Sequence, residues 1–206
     1  MKDKMKLEQI TAGYDGRNLF ENFSLELPDR GIICLFAPSG SGKTTLLRLL
    51  AGLIAPTAGK ITGLEGKKIA AVFQEDRLVP SMTIRQNVEL VLDKGQKKTA
   101  QEYLDKVGLS DWKDAFPEEL SGGMLRRASL ARAFAYAKQY RGAVVFLLDE
   151  PLKGLDEQAA KEMLKLIREE TSGSLAFFVT HDRAQAQEIS DRILCLQGQP
   201  LRLTEG

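Results

Sequence analysis

The sequence predicts an α/β fold with a mainly parallel sheet, an N-terminal antiparallel β subdomain and a helical insertion. Three observations lead there. Residues 31–37, 69–73, 143–148 and 175–179 are short runs that are apolar throughout instead of alternating. Strands of that kind are buried on both faces, as in a parallel sheet covered by helices. Helical patterns fall between these runs, and two stretches, one N-terminal and one central, break the alternation.

Taken in order, residues 5–10 and 22–27 read as shorter, more mixed strands, with Asn18 and Pro28-Asp29 near turns. They suggest an antiparallel sheet edge. The strand 31–37 leads through a glycine-rich loop into a short helix over 44–50. The stretch between Gly59 and Phe73 is short and suggests a trimmed hairpin. Residues 76–119 hold helical patterns at 84–92 and 100–107, the second stopped by Gly108, together with Pro80, Pro117 and the single tryptophan, Trp112. A longer helix follows over 124–140, and the helical insertion is expected to span about 76–135. Ala160, Met163, Leu164 and Ile167 then repeat at i, i+3, i+4, i+7, the stripe of an amphipathic helix. A last strand is expected over 192–196, with the chain ending soon after. No repeat, low-complexity tract or linker appears, so residues 1–206 are expected to form a single domain.

Composition narrows the function classes. The 206 residues are 43% hydrophobic, enough for one core, and 29 basic against 28 acidic residues give a net charge of +1. No basic run or basic-aromatic stripe is present, so nucleic acid is not expected as a partner. Cys34 and Cys195 lie in apolar runs and read as buried hydrophobes of a reducing compartment. The charged N-terminus lacks an apolar segment behind it, and no stretch approaches the roughly 18 to 20 apolar residues of a membrane span. A cytoplasmic protein is expected, with any membrane role exerted through a partner.

Ala37-Pro38-Ser39-Gly40-Ser41-Gly42-Lys43-Thr44 follows a strand and precedes a helix, the setting of a phosphate-binding P-loop. Gly40 and Gly42 let consecutive N–H groups turn inward as an anion nest, and the helix N-terminus adds positive potential. Lys43 suits the β- and γ-phosphates, and the Thr44 hydroxyl suits Mg²⁺. The first glycine of the usual pattern is Ala37 here. Pro38 pushes its predecessor towards extended conformations that alanine adopts without strain. Downstream, Asp149-Glu150 end an apolar strand, at the edge where ligands sit in an open α/β sheet. Asp149 suits the metal, and Glu150 suits an attacking water. His181, the only histidine, follows another strand end. Leu120-Ser121-Gly122-Gly123-Met124 lies between loop and acidic pair and reads as a turn opening a helix, with Ser121 as its cap.

In this order the motifs resemble those of the ATP-binding subunits of ABC transporters, from about residue 5 to the end. The resemblance implies that Tyr14 stacks on adenine and that Ser39, Gly40, Ser41, Gly42, Lys43, Thr44 and Thr45 form the Walker A loop. It makes Gln74 the Q-loop glutamine that contacts Mg²⁺, and Ser121, Gly122 and Gly123 the signature turn. Asp149 and Glu150 become the Walker B aspartate and catalytic glutamate, Asp156 part of the D-loop, and His181 the H-loop histidine. The cofactors implied are ATP and Mg²⁺. The partners implied are a transmembrane permease, a second copy of the chain in a head-to-tail ATP-dependent homodimer, and a separate solute-binding protein. The place implied is the inner face of the membrane.

Glu75-Asp76-Arg77-Leu78-Val79-Pro80 and the Phe116-Pro117-Glu118-Glu119 lead-in are similar to bacterial importers, most of all the nitrate, sulfonate and taurine group. Leu78, Val79 and Met82 are then expected to line a groove for a permease helix, and packing against the insertion is the competing reading. No C-terminal regulatory domain is expected. Two other classes share part of the pattern: an ABC ATPase without transport duty, and a P-loop kinase, which has no use for Gln74 or the Ser121 turn.

Overall fold

The computed structural model describes residues 4–14, 17–36, 41–140, 142–198 and 200–205. Two sheets form. Strands β1 (Lys6–Tyr14), β2 (Arg17–Glu26) and β4 (Ala58–Thr62) make an antiparallel sheet in the order β2-β1-β4. Strands β3 (Gly31–Phe36), β5 (Lys68–Val72), β6 (Val144–Asp149), β7 (Leu175–Thr180), β8 (Arg192–Gln197) and β9 (Arg202–Glu205) form the larger sheet, ordered β5-β6-β7-β3-β8-β9. Its first five strands are parallel, and β9 returns antiparallel against β8.

The wholly apolar runs explain the layering. Within each central strand, alternate residues enter different cores. Ile32, Cys34, Phe146, Leu148, Ala176 and Phe178 join one cluster with the helical insertion. Ile33, Leu35, Val145, Leu147, Phe177 and Val179 join the other, with helix α1 (Lys43–Leu50) and the antiparallel sheet. Each fully buried Val, Leu, Ile or Phe contributes about 1.5–3 kcal/mol, so neither face can be left bare. Cys34 is fully buried and Cys195 half-buried, both unpaired. Burial pushes the Cys34 thiol up to about 12.

The central insertion carries α2 (Ile84–Glu89), α3 (Lys97–Lys106) and the start of α4 (Gly122–Lys138). The remaining helices, α5 (Glu157–Glu170) and α6 (Arg183–Ile189), flank β7 in the chain. Several expectations need correction. The first two strands are longer than the sequence suggests, and Asn18 lies inside β2, opposite Gly13. The short segment between Gly59 and Phe73 is not a hairpin, since β4 pairs with β1 and β5 pairs with β6 in different sheets. The run 69–73 is apolar on both faces because it belongs to the doubly covered sheet, whereas β4 is largely exposed. Helix α4 starts two residues early because the Ser121 hydroxyl accepts the Met124 N–H at 3.3 Å. Beyond the expected last strand, β9 adds a sixth strand.

One buried side chain organises the loop before α2. Asn87 has no exposed surface; its amide donates to the carbonyls of Val79, Met82 and Thr83, and its oxygen accepts the Val79 N–H at 2.7 Å. Thr83 and Gln86 close a reciprocal cap at the helix start. Asn87→Ala removes all four of these bonds and takes from the Val79 N–H and the Met82 carbonyl the partner that Asn87 gives them, and urea denaturation should register a loss of about 1–3 kcal/mol.

Candidate functional site

Strands β3, β6 and β7 present their carboxyl ends together, because all three run parallel in adjacent register. The loop after β3, the acidic pair after β6 and the histidine after β7 therefore converge. Ser41, Gly42, Lys43, Thr44, Thr45, Gln74, Glu150 and His181 line one cleft of about 460 Å³, with Leu19 and Lys153 completing its wall. Ser39 and Gly40 lie outside the described residues. Gly42 is the N-cap of α1 with φ at +89°, a left-handed conformation that favours glycine. A Cβ there would also come within 2.6 Å of Leu201 Cδ1.

Asp149 is wholly buried beneath the cleft. Burial pushes its carboxyl above the ordinary range and neighbouring Glu150 adds to the rise, while the Thr44 hydrogen bond and Lys43 oppose it. Thr44 Oγ1 donates to Asp149 Oδ2 at 2.6 Å, and Asp149 Oδ1 has no hydrogen-bond partner. Burial also pulls Lys43 below its usual value, against the pull of Glu150 and Asp149. Two carboxylates thus sit at the end of a buried strand, beside a cation, and burial moves both Asp149 and Lys43 towards their neutral forms.

Glu150 is the strained member. Its φ of +47° lies in the left-handed region, which a residue with a side chain occupies at a cost of about 1–3 kcal/mol. The Glu150 N–H still donates to Val179 O at 3.0 Å, so the backbone turns while staying tied to β7. Its carboxylate is 8% exposed, 3.3 Å from His181 Nδ1 and 3.9 Å from Lys153 Nζ. The arrangement can hold a phosphate chain over Lys43 and a carboxylate beside it.

Other expected residues stand apart. Tyr14 ends β1 opposite Arg17 and is 40% exposed. Asp156 caps α5, accepting the Ala159 N–H at 2.8 Å. Ser121 caps α4, and Gly122 and Gly123 open that helix. None of these five lines the cleft. Gly123 packs so closely that an added Cβ would lie 2.7 Å from Gly154 O. Leu78 packs on the core cluster, and Val79 is half-buried and held by Asn87, so internal packing accounts for part of the expected groove. Sequence reasoning missed Asn87, Arg126 and Lys153. Only Asn87 left a local signal, a polar residue between Ile84 and Val88 on a buried stripe.

Comparison with known proteins agrees with this geometry. The family model described as ABC transporter matches residues 20–153. An uncharacterised ABC transporter ATP-binding protein of Methanocaldococcus jannaschii is 36% identical, over 100% of this chain and 82% of its own length. The aliphatic sulfonates import ATP-binding protein SsuB 1 of Pseudomonas savastanoi pv. phaseolicola is 35% identical, over 98% of this chain and 84% of its own length. The sulfate/thiosulfate import ATP-binding protein CysA of Mesorhizobium japonicum is 37% identical, over 87% of this chain and 58% of its own length. Among solved structures, a dimeric ATP-binding cassette in a post-hydrolysis state, bound to ADP and Pi, superposes with a TM-score of 0.84 at 27% identity, covering 98% of both chains. The chain belongs to the ABC transporter family, as one of its ATP-binding, ATP-hydrolysing subunits.

Proposed function

We propose that two copies of this chain close head to tail around ATP and that the resulting hydrolysis powers solute import through a separate permease. The carrying observation is a separation: the Ser121 turn lies outside the cleft that holds Lys43, Thr44, Gln74, Glu150 and His181. Gly122 supports the same reading, because it is exposed and a Cβ there meets nothing within 4 Å of its own chain. Its bareness serves no contact within the chain and suits the approach of a second molecule's phosphate.

In this reading the backbone of Ser39, Gly40, Ser41, Gly42 and Thr45 cradles the phosphates, Lys43 offsets their charge, and Tyr14 stacks on the adenine. Ser121, Gly122, Gly123 and Asp156 act on the nucleotide held by the other copy. Glu150 orients the attacking water and takes up its proton, and His181 holds the Glu150 carboxylate and faces the terminal phosphate. Positioning and charge stabilisation supply most of the catalysis in phosphoryl transfer.

The residues fit Mg²⁺. Asp149 Oδ1 is a buried oxygen without a partner, and the Thr44 hydroxyl beside it is a second hard donor. Among the described residues no group of three or more acidic, His or Cys side chains could form a complete cage. That suits a cation held by one carboxylate, a few neutral protein oxygens and the substrate's phosphates. Thr44, Asp149 and Gln74 would hold it, and when bound it would neutralise charge on the β- and γ-phosphates.

The two import proteins named among the relatives favour import over export, and in this reading a separate solute-binding protein delivers the cargo. No helix among the described residues is long and apolar enough to cross a membrane. The permease, docking near Leu78, Val79 and Met82, would hold the subunit at the inner membrane face. In this reading residues 1–206 act as one domain that includes the insertion of about 76–135.

Glu150→Gln should keep ATP binding, lower turnover by about 10²–10⁴-fold and leave an ATP-bound dimer visible by size-exclusion chromatography. Undiminished turnover would overturn the role of Glu150. Gly122→Ala should leave the monomer's melting temperature unchanged or slightly raised, since alanine favours helix, yet cut steady-state turnover at least about tenfold, the loss expected when one binding contact is displaced. Asp149 is the pH-sensitive member. Its native carboxyl titrates above its unfolded value, so its favourable contribution to folding exists at low pH and is lost as pH rises through the native value. Near neutrality the ionised group therefore burdens the nucleotide-free fold. Asp149→Asn should raise the melting temperature without Mg²⁺ and ATP, and abolish Mg²⁺-dependent turnover.

A further inference from the structure

Arg126 is a buried charge that the mechanism above leaves idle. It is 3% exposed and sits in α4, five residues beyond Ser121. Its Nη1 donates to Phe73 O at 2.6 Å, its Nη2 donates to Gln74 O at 2.5 Å, and Nη1 is 3.3 Å from Asp76 Oδ1. The same helix continues the attachment. Ser129 Oγ and Arg132 Nη2 both donate to Asp76 O at 3.0 Å, and Arg132 Nη1 donates to Arg77 O at 2.9 Å. Arg77 itself is held with φ at +47°. Residues 126, 129 and 132 thus bind the main chain of the segment that leaves β5 and carries Gln74 into the cleft.

Stability alone does not account for this. Removing a guanidinium from water is costly, and an apolar side chain of similar volume generally serves packing at least as well. The fork geometry of arginine, by contrast, can fix two carbonyls at once. We propose that Arg126 is a positioning residue, which locks the Gln74 main chain to α4 so that Gln74 and the Ser121–Gly123 turn move as one body. The inference rests on the reading of Gln74 and the Ser121 turn given above. Its consequence is mechanical: a phosphate of the second copy that seats on the Ser121 turn also sets Gln74 in the first copy's cleft.

The test measures MgATP hydrolysis by the full chain carrying Gln74→Ala, Arg126→Gln, both together, or Arg126→Lys, with Glu150→Gln as control. Arg126→Gln should lower kcat about tenfold to a hundredfold, the loss that follows about 1 Å of misplacement, with the KM for MgATP within about twofold. The double variant should be no slower than the slower single variant, because both changes remove one function. Arg126→Lys should fail to restore kcat, since an ammonium cannot bridge two carbonyls in a fork. If Arg126→Gln melts too low to assay, Asp76→Asn/Arg126→Gln removes both charges of the pair and carries the same expectation. Losses that multiply in the double variant, an unchanged kcat in Arg126→Gln, or full activity in Gln74→Ala would each overturn the lock. A control Glu150→Gln that still turns over would overturn the underlying site reading; a dead control with multiplying losses would overturn the lock alone.

Discussion

A parallel sheet that is apolar on both faces has to be covered twice, and the remaining architecture follows from that requirement. Strands β3, β6 and β7 send alternate residues into two separate cores, so helices and a second sheet must close over both sides. Only the strand ends stay accessible. Polar residues that belong to no core collect there, and parallel register gathers the ends of all three strands at one edge. The cleft is thus a by-product of how the hydrophobic surface is buried, with chemistry assigned to the place left open.

Charge at that edge is balanced for a ligand that is itself strongly negative and carries a cation. Lys43 and Asp149 are both buried, and each is displaced by its surroundings towards the neutral form. Asp149 keeps one oxygen on Thr44 and the other without a partner, which costs stability in the protein alone and suits the metal role proposed for it. Glu150 adds backbone strain beside it. These features meet around the Thr44–Asp149 hydrogen bond, although its two partners are far apart in the chain.

Legibility in the sequence divided along a physical line. The phosphate loop, the acidic pair and His181 were readable because each needs particular side chains at fixed offsets within one turn. The doubly buried strands were readable because their apolar runs lack alternation. The supposed hairpin before Phe73 was misread because proximity in sequence does not say which sheet a strand joins, and β4 and β5 join different ones. Arg126 and Asn87 were missed for another reason. Their partners are mostly carbonyls of Phe73, Gln74, Val79, Met82 and Thr83, and every residue has a carbonyl. A side chain that binds backbone leaves no complementary residue for a sequence pattern to reveal. The separation of Asp156 from the cleft was visible only in three dimensions, whereas that of Ser121 was implied by the expected head-to-tail pair.

The backbone at Glu150 has a consequence for how variants of this protein would fare under selection. Glycine would occupy that left-handed position with less strain, so the backbone conformation there favours glycine over an acid. Under the role proposed for Glu150, heat resistance and throughput therefore pull this position in opposite directions. A laboratory lineage selected only for survival at elevated temperature would tend to erode the machinery, and the sturdiest descendants would be inert.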